Sequence, residues 1–530
     1  MTTSASDTFS PSSLLSDGLD CRVRPDVTIR TALQQIEDSE QRLAVVTTES
    51  GEPRGVVTDG DLRRGLRDGL SPGQPVTAVM MEDPAVARRV GDPERIGPST
   101  TENEDQRVPF IDAGGDIPGS VPSETPRLAI VSTHPIQYYA PFFRQLSARE
   151  GLDVRVFYGW EGPSTGDYDP GFDEEVTWDI PLLDGYPHTF LENESSDPGT
   201  HHFRGIVTPD LVPSIEDWGP DAVLVYGWNY WSHLAALRHF HGRVPVLFRG
   251  DSTLLDETPG PRQWARRLVL RWVYRHVDRA LYVGQNSRAY FEAHGLSDDQ
   301  LTWVPHAVEN ARFADAPDAE AKAQAWREET GIPDDAPVVL FAGKLGEKKA
   351  PDVLLDAFLH LENEEAHLAV VGSGPMEEAL RDEAKDHPRA HFLGFQNQSR
   401  MPVVYRLGDV FVLPSRGPGE TWGLAVNEAM ACGRPVVVTE KVGCAPDLVD
   451  DANGRVVPPE EAGALADALD ELLADRDRLR ALGRRSAERI RYWSISAAAD
   501  RTVEAVRSAV GVEGIEREPF VEPSLGLQEA

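Results

Sequence analysis

The segment Asp409–Thr439, DVFVLPSRGPGETWGLAVNEAMACGRPVVVT, constrains this chain most. Its apolar run Val410–Leu413 has the length and branching of a buried strand. A Pro/Gly-rich loop follows, then a helix opening near Gly423 and closing at Gly433, then a second strand, Val436–Val438. This order is half of a doubly wound sheet, in which ligands sit at the carboxyl ends of the strands. The loop brings Glu420, and the helix brings Glu428 one turn past its start. The first-turn N–H groups around Gly423 and Leu424 have no partner within the helix and form an anion site. Phosphate donors flanked by two carboxylates that accept sugar hydroxyls are the parts of a sugar-nucleotide site. The plainer alternative is a solvated loop acid and a helix-surface acid.

A second segment, Val338–Ala350 (VVLFAGKLGEKKA), is an apolar strand ending in Gly343 and followed by Lys344, Lys348 and Lys349. Lysine is rare here; the others are Lys322, Lys385 and Lys441. Compact ammonium charges gathered past a strand end suit a diphosphate, a solvated basic loop being the alternative.

These segments resemble the retaining glycosyltransferases of family 4. The E-x7-E element matches Glu420 and Glu428; the basic element matches Gly343, Lys344, Leu345 and Lys349. The VPNGVD segment appears as Val304–Glu309, the G-x-G-P turn as Gly372–Pro375, and the FLG turn as Phe392–Gly394. The resemblance runs from about Arg127 to Val506. It implies the GT-B fold, two Rossmann-like doubly wound α/β domains facing a cleft. It also implies transfer of a sugar from a nucleotide diphosphate, most commonly UDP, with retention. Glu420, Lys349 and Lys344 are the implied catalytic residues, with Glu428, Gly423, Leu424, Trp422 and Gly343 holding the donor. Fixed cations would replace a metal, so no metal site and no cofactor besides the substrate is expected. The acceptor is a glycan, a lipid-linked glycan or a small molecule. A GT-B epimerase or phosphorylase, or an inert GT-B part beneath a nucleotide sensor, are the alternative readings.

Residues 127–309 are expected as the acceptor domain, 310–489 as the donor domain and 490–510 as a closing helix anchored by Trp493. In the first of these, the loop His134–Tyr139 follows the first strand, and Arg249–Thr253 follows a strand expected at Val244–Phe248. His134, Asp251 and Trp228 are candidate contacts, Trp228 within an aromatic run (Tyr226, Trp228, Tyr230, Trp231) that would line an acceptor groove or pack in the core. His306 lies at the expected hinge.

Residues 19–80 resemble a CBS domain. The G-h-x-T-x-x-D signature is Gly55, Val56, Val57, Thr58 and Asp61. The resemblance implies Thr58 and Asp61 as contacts to an adenosine nucleotide; Asp61 is equally a helix N-cap. Arg107 onward echoes Arg42 onward, so 81–126 read as a degenerate second half and linker, with a homodimer as one way to complete the pair. Residues 1–18 read as a disordered lead-in and 511–530 as an acidic tail.

The formal charge of −35 is spread along the chain, the pattern of an acidic, halophilic-type protein kept soluble in salt. It argues against nucleic acid and against broad adhesion to an anionic membrane, leaving at most peripheral contact. Three cysteines give no disulfide framework, and no long apolar run or signal pattern is present, so a cytoplasmic location is expected.

Overall fold

The computed structural model describes residues 22–38, 43–47, 53–58, 62, 65, 70–82, 87–88, 110–111, 125–161, 167–169 and 174–512. The chain divides into two compact units, 1–123 and 124–530.

In the first unit, Arg22–Val23, Leu43–Thr47, Pro53–Thr58 and Met81–Glu82 form a four-stranded sheet. The first pair is parallel and the other two are antiparallel. The helix Ile29–Asp38 places Ile29, Ala32 and Ile36 in a small core with Val23, Ala44, Val46 and Val57. Within the echo region, Ala87–Arg88 pairs in parallel with Phe110–Ile111. Thr58 ends a strand; Asp61, residues 1–18 and 513–530 lie outside the described residues.

The second unit contains two all-parallel sheets. Numbered by chain order within each half, the first sheet runs 3-2-1-4-5-6-7. Its strand 1 is Arg127–Ser132 and its strand 4 Ala222–Tyr226. The second runs 3-2-1-4-5-6, with Val338–Ala342 as strand 1 and Val410–Leu413 as strand 4. Both strands 1 and 4 of the second sheet are buried at every position, as the continuous apolar runs require. In each sheet the order reverses between strands 1 and 4, and there the outgoing loops part to leave a crevice. Aspartates at the opposite ends accept strand-start N–H groups: Arg127 N–H donates to Asp221 Oδ2 (3.0 Å), Val246 to Asp278 Oδ2 (2.7 Å), and Val338 to Asp409 Oδ2 (2.8 Å). The strand expected at Val244–Phe248 runs Val246–Arg249, because Pro245 has no N–H to give the ladder.

The chain crosses between halves twice, and the crossings touch: Val308 forms a parallel bridge with Ser494. Helix Ile495–Ala509 then packs on the first half, with Ile495, Ala498, Ala499, Ala505 and Val506 in one core with Leu128, Ile130 and Val156. Just before it, Trp493 is buried edge-on to Trp303 (5.8 Å), and Asn310 Nδ2 donates to the carbonyls of Ile490 and Trp493. The Trp493 indole N–H has no hydrogen-bond partner among the described residues, so its anchoring comes from ring burial. Trp493→Ala should therefore lower stability by about 3–5 kcal/mol in chemical denaturation, while Trp493→Phe recovers most of it.

Candidate active site

Two loops emerge at the switch point of the second sheet. Strands 1 and 4 are direct neighbours there, Val339 opposite Val410 and Leu340 opposite Phe411. The loop after strand 1 carries Lys344, Lys348 and Lys349; the loop after strand 4 carries Ser415 and Glu420. Lys349 Nζ lies 3.0 Å from Glu420 Oε1 and 2.9 Å from Oε2. Ser415 Oγ donates to Oε2 at 3.2 Å, and Lys348 Nζ stands 3.9 Å from the same oxygen. Burial alone would raise the Glu420 carboxyl; Lys349, then Lys348, and the donated hydrogen bonds outweigh it and hold it below its ordinary range. Lys348 is pushed down by burial and by its neighbours Lys349 and Lys344, against the pull of Glu420. Two ammonium groups at one carboxylate, with Lys344 lining the same cleft, leave positive charge for an anion.

Tight backbone packing holds the lysine loop. Gly343 N–H donates to the Val371 carbonyl and Leu345 N–H to that of Ser373 (2.9 and 2.8 Å). Gly372 has φ +135°, and a Cβ there would lie 1.9 Å from the Gly343 carbonyl oxygen. This is the work of the G-x-G-P turn. Gly423 likewise needs its freedom: φ is +98°, and a Cβ would meet Val442 Cγ1 at 2.8 Å. Its left-handed turn starts the helix Leu424–Ala431, so the first-turn amides face the crevice. Glu428, on that helix, accepts from Tyr405 Oη at 2.6 Å. Burial raises its carboxyl above the ordinary value; the Tyr405 hydrogen bond and then Arg312 oppose the rise.

All of these groups line one cleft of about 560 Å³. Its walls include Gly343, Lys344, Lys348, Lys349, Glu420, Trp422, Gly423, Leu424 and Glu428 from the second half, and His134 and Asp251 from the first. Thus the structure brings the two carboxylates, the lysines and the helix start to one opening. His134 is held down to about 4 by burial; its Nδ1 is 3.0 Å from Thr133 Oγ1. Asp251 Oδ2 accepts from Thr421 Oγ1 at 2.7 Å, across the cleft. Trp228 is not among the lining residues. It packs half-buried on the first half's core, and Tyr226 and Tyr230 are buried, so the aromatic run is mainly packing. Arg249 is buried and donates to the carbonyls of Val304 and Pro305 (3.0 and 3.1 Å), a hinge clamp rather than a cleft group. His306 is buried at the hinge and held down to about 3 by burial and, secondarily, by Arg249.

Sequence reasoning missed several groups. Asn427 Oδ1 accepts from Trp422 Nε1 (2.9 Å), and its Nδ2 donates to the His306 carbonyl (3.0 Å), tying the donor-side helix to the hinge. Asp256 Oδ2 accepts from Gly419 N–H at 2.7 Å, and its Oδ1 meets Lys441 Nζ at 3.4 Å. Tyr405 and Arg312 flank Glu428. Only Asn427 carried a local signal, its place inside ETWGLAVNE. Three ligand-type side chains, Asp197, His201 and His202, converge at the surface outside the cleft lining.

Residues 322–489 match the family model "Glycosyl transferases group 1", residues 134–307 "Glycosyl transferase 4-like domain", and residues 22–68 "CBS domain". A D-inositol 3-phosphate glycosyltransferase of Xylanimonas cellulosilytica is 37% identical over 39% of this chain and 51% of its own length. A GDP-mannose-dependent alpha-(1-6)-phosphatidylinositol monomannoside mannosyltransferase of Mycolicibacterium smegmatis is 32% identical over 43% of this chain and 60% of its own. The chain thus spans between half and two thirds of the length of these relatives. Sucrose-phosphate synthase from Thermosynechococcus elongatus superposes with TM-score 0.56 at 20% identity, over 73% of this chain and 99% of that one. Anabaena Alr3699/HepE in complex with UDP and glucose gives 0.55 at 17%, over 72% and 100%. The second unit has the GT-B fold.

The Tyr405 hydrogen bond sets the acid side of this site. Tyr405→Phe removes a donor that lowers the Glu428 carboxyl, so Glu428 should take up its proton at higher pH. If the ionised carboxylate holds the ligand, the acid limb of ligand affinity moves to higher pH in the variant; titration calorimetry across pH with a nucleotide sugar reads it. An unmoved limb would separate Glu428 from binding.

Proposed function

We propose that this chain, whose residues 134–307 and 322–489 belong to the glycosyl transferase 4-like and glycosyl transferases group 1 families, is a glycosyltransferase drawing on a nucleotide diphosphate sugar. The observation that carries this reading is the Glu420–Lys349 pair set beside Lys344, Lys348 and the start of helix Leu424–Ala431 in one cleft. A diphosphate entering there meets cations and oriented N–H groups already in place, which stabilise the charge that grows as the bond to the anomeric carbon breaks. Glu428 accepts the ribose hydroxyls. Glu420, kept ionised by Lys349, takes a hydroxyl of the donor sugar and steadies the electron-poor ring. His134 and Asp251 reach the same space from the acceptor side, and closure of the halves excludes water that would hydrolyse the donor.

The finer reading is transfer with retention and without a metal. Its support is the family resemblance and the lysines standing where a divalent ion would otherwise neutralise the diphosphate. A UDP-sugar is the first donor reading; GDP-mannose is the second, favoured by the GDP-mannose-dependent M. smegmatis relative. Those relatives' names also favour an inositol phosphate or lipid-linked inositol among the acceptor classes. For the first unit, Thr58 and Asp61 are our proposed contacts to an adenosine nucleotide, and pairing of these units our proposed route to a homodimer in the cytoplasm.

A thermal-shift screen of nucleotide sugars in high salt identifies the donor by its stabilisation. With that donor, Lys349→Ala should lower turnover by roughly 10²–10³, corresponding to about 3–4 kcal/mol, while EDTA leaves wild-type turnover unchanged. Because Lys349→Ala strands a buried carboxylate, the double variant Lys349→Ala/Glu420→Gln serves as the folded control. Near-normal turnover in either variant would refute the assignment, and NMR of the product's anomeric configuration tests retention.

A further inference from the structure

Helix Pro261–Tyr274 departs from the chain's overall acidity and carries no acid of its own. Residues 261–276, PRQWARRLVLRWVYRH, hold five arginines and no acid, although 87 of the 530 residues are Asp or Glu, about one in six. The same helix is apolar on its outside. Trp264 is 67% exposed, Leu268 48% and Val269 49%. They are three of the seven large apolar side chains exposed among the described residues, and they fall within six positions of one another. Single exposed apolar residues are ordinary; a cluster is not.

Helical geometry sorts these residues. At 100° per residue, Trp264, Leu268, Ala265 and Val269 fall on one outward arc. Arg271 borders that arc on one side and Arg262 and Arg266 on the other, while Arg275, which caps the helix, falls within it. Arg267 points back to the body, its Nη2 3.3 Å from Glu257 Oε2, while Leu270, Val273 and Tyr274 are buried beneath. Arg262, Arg271 and Arg275 have no ion-pair partner among the described residues. An apolar strip led by an indole in the first turn, with arginines on both edges, fits a phospholipid surface. Rings and aliphatic chains enter the headgroup boundary, and guanidinium groups reach lipid phosphates at its rim.

We propose that this helix docks the protein on an anionic lipid bilayer. Charge complementarity selects that occupant: a basic strip in a chain of −35 would be repelled by a basic partner and attracted by a sheet of phosphates. The helix is also linked to the cleft. The loop leading into it supplies Asp251 to Thr421 and Asp256 to Gly419, and its Glu257 accepts from Gln263 Nε2 at 2.7 Å. Docking therefore holds the mouth of the cleft close to the membrane, where a lipid-linked acceptor would lie. That last step rests on the transferase reading; docking itself does not.

Co-sedimentation of the full chain with vesicles of phosphatidylcholine, with and without phosphatidylglycerol, tests it. Binding is expected only to the anionic vesicles. W264E/L268E should weaken it by about tenfold or more, and R262E/R271E should do so most at low salt. Both variants should keep wild-type melting temperature and wild-type donor hydrolysis in solution. The proposal fails if wild type does not pellet or if the variants pellet as wild type does. It fails equally if W264E/L268E instead dissolves a dimer of a wild type that ignores vesicles, since the face would then be a self-interface. Vesicle binding without any donor turnover would sink the transferase reading and leave docking standing.

Discussion

The ion pair between Lys349 and Glu420 is the constraint on which the rest of the cleft depends. Its partners are 71 residues apart, yet their loops leave neighbouring strands of one sheet. The chain departs in opposite directions from those two strands, so a crevice opens between the loops whatever the side chains are. An acid buried in that crevice is tolerable only while cations hold it ionised, and Lys349, Lys348 and Ser415 do so. The pair also fixes the loop that carries Glu420. Its neighbours Gly419 and Thr421 are then presented to Asp256 and Asp251 of the other half. One interaction inside the second domain thus sets the surface that the first domain grips.

The contacts between halves fall into two kinds. At the crossings, Arg249 holds the carbonyls of Val304 and Pro305 from one side, and Asn427 holds that of His306 from the other. These groups are buried, so breaking them would strand polar atoms at about 1–3 kcal/mol each. At the cleft mouth the contacts are more exposed: Asp179 with Ser399 and Asn397, Asp256 with Lys441 and Gly419. Water replaces such partners at little cost, each being worth about 1 kcal/mol. The mouth can therefore open while the crossings stay intact, which is the division of labour a closing cleft needs.

Much of this was legible in sequence because the fold is written in local patterns. Continuous apolar runs gave the buried parallel strands, and the lysine cluster and ETWGLAVNE gave the crevice loops. The illegible residues are those whose meaning depends on the crossing of the chain. Nothing near Asp256 announces Lys441, 185 residues later, and nothing near Asn427 announces the His306 carbonyl. The aromatic run from Tyr226 to Trp231 stayed ambiguous in sequence for a related reason. Rings at a strand end serve a groove or a core equally well, and only the packing of neighbouring helices decides; here Tyr226 and Tyr230 went to the core.

Net charge, by contrast, describes the chain only as an average. A total of −35 describes solubility, and against an anionic membrane it predicts repulsion. But screening limits each charge to about 10 Å at ordinary ionic strength and less in salt, so a surface is felt region by region. Two cationic regions of this chain, the cleft and helix Pro261–Tyr274, differ in chemistry. The cleft uses lysines, compact charges that can close on a diphosphate; the outward helix uses arginines, whose long stems can cover apolar neighbours and whose planar heads can fork onto phosphates. Lysine, with six among the chain's 52 basic residues, places three in the cleft, while the outward helix carries arginines alone, a partition that matches the physical chemistry of the two side chains.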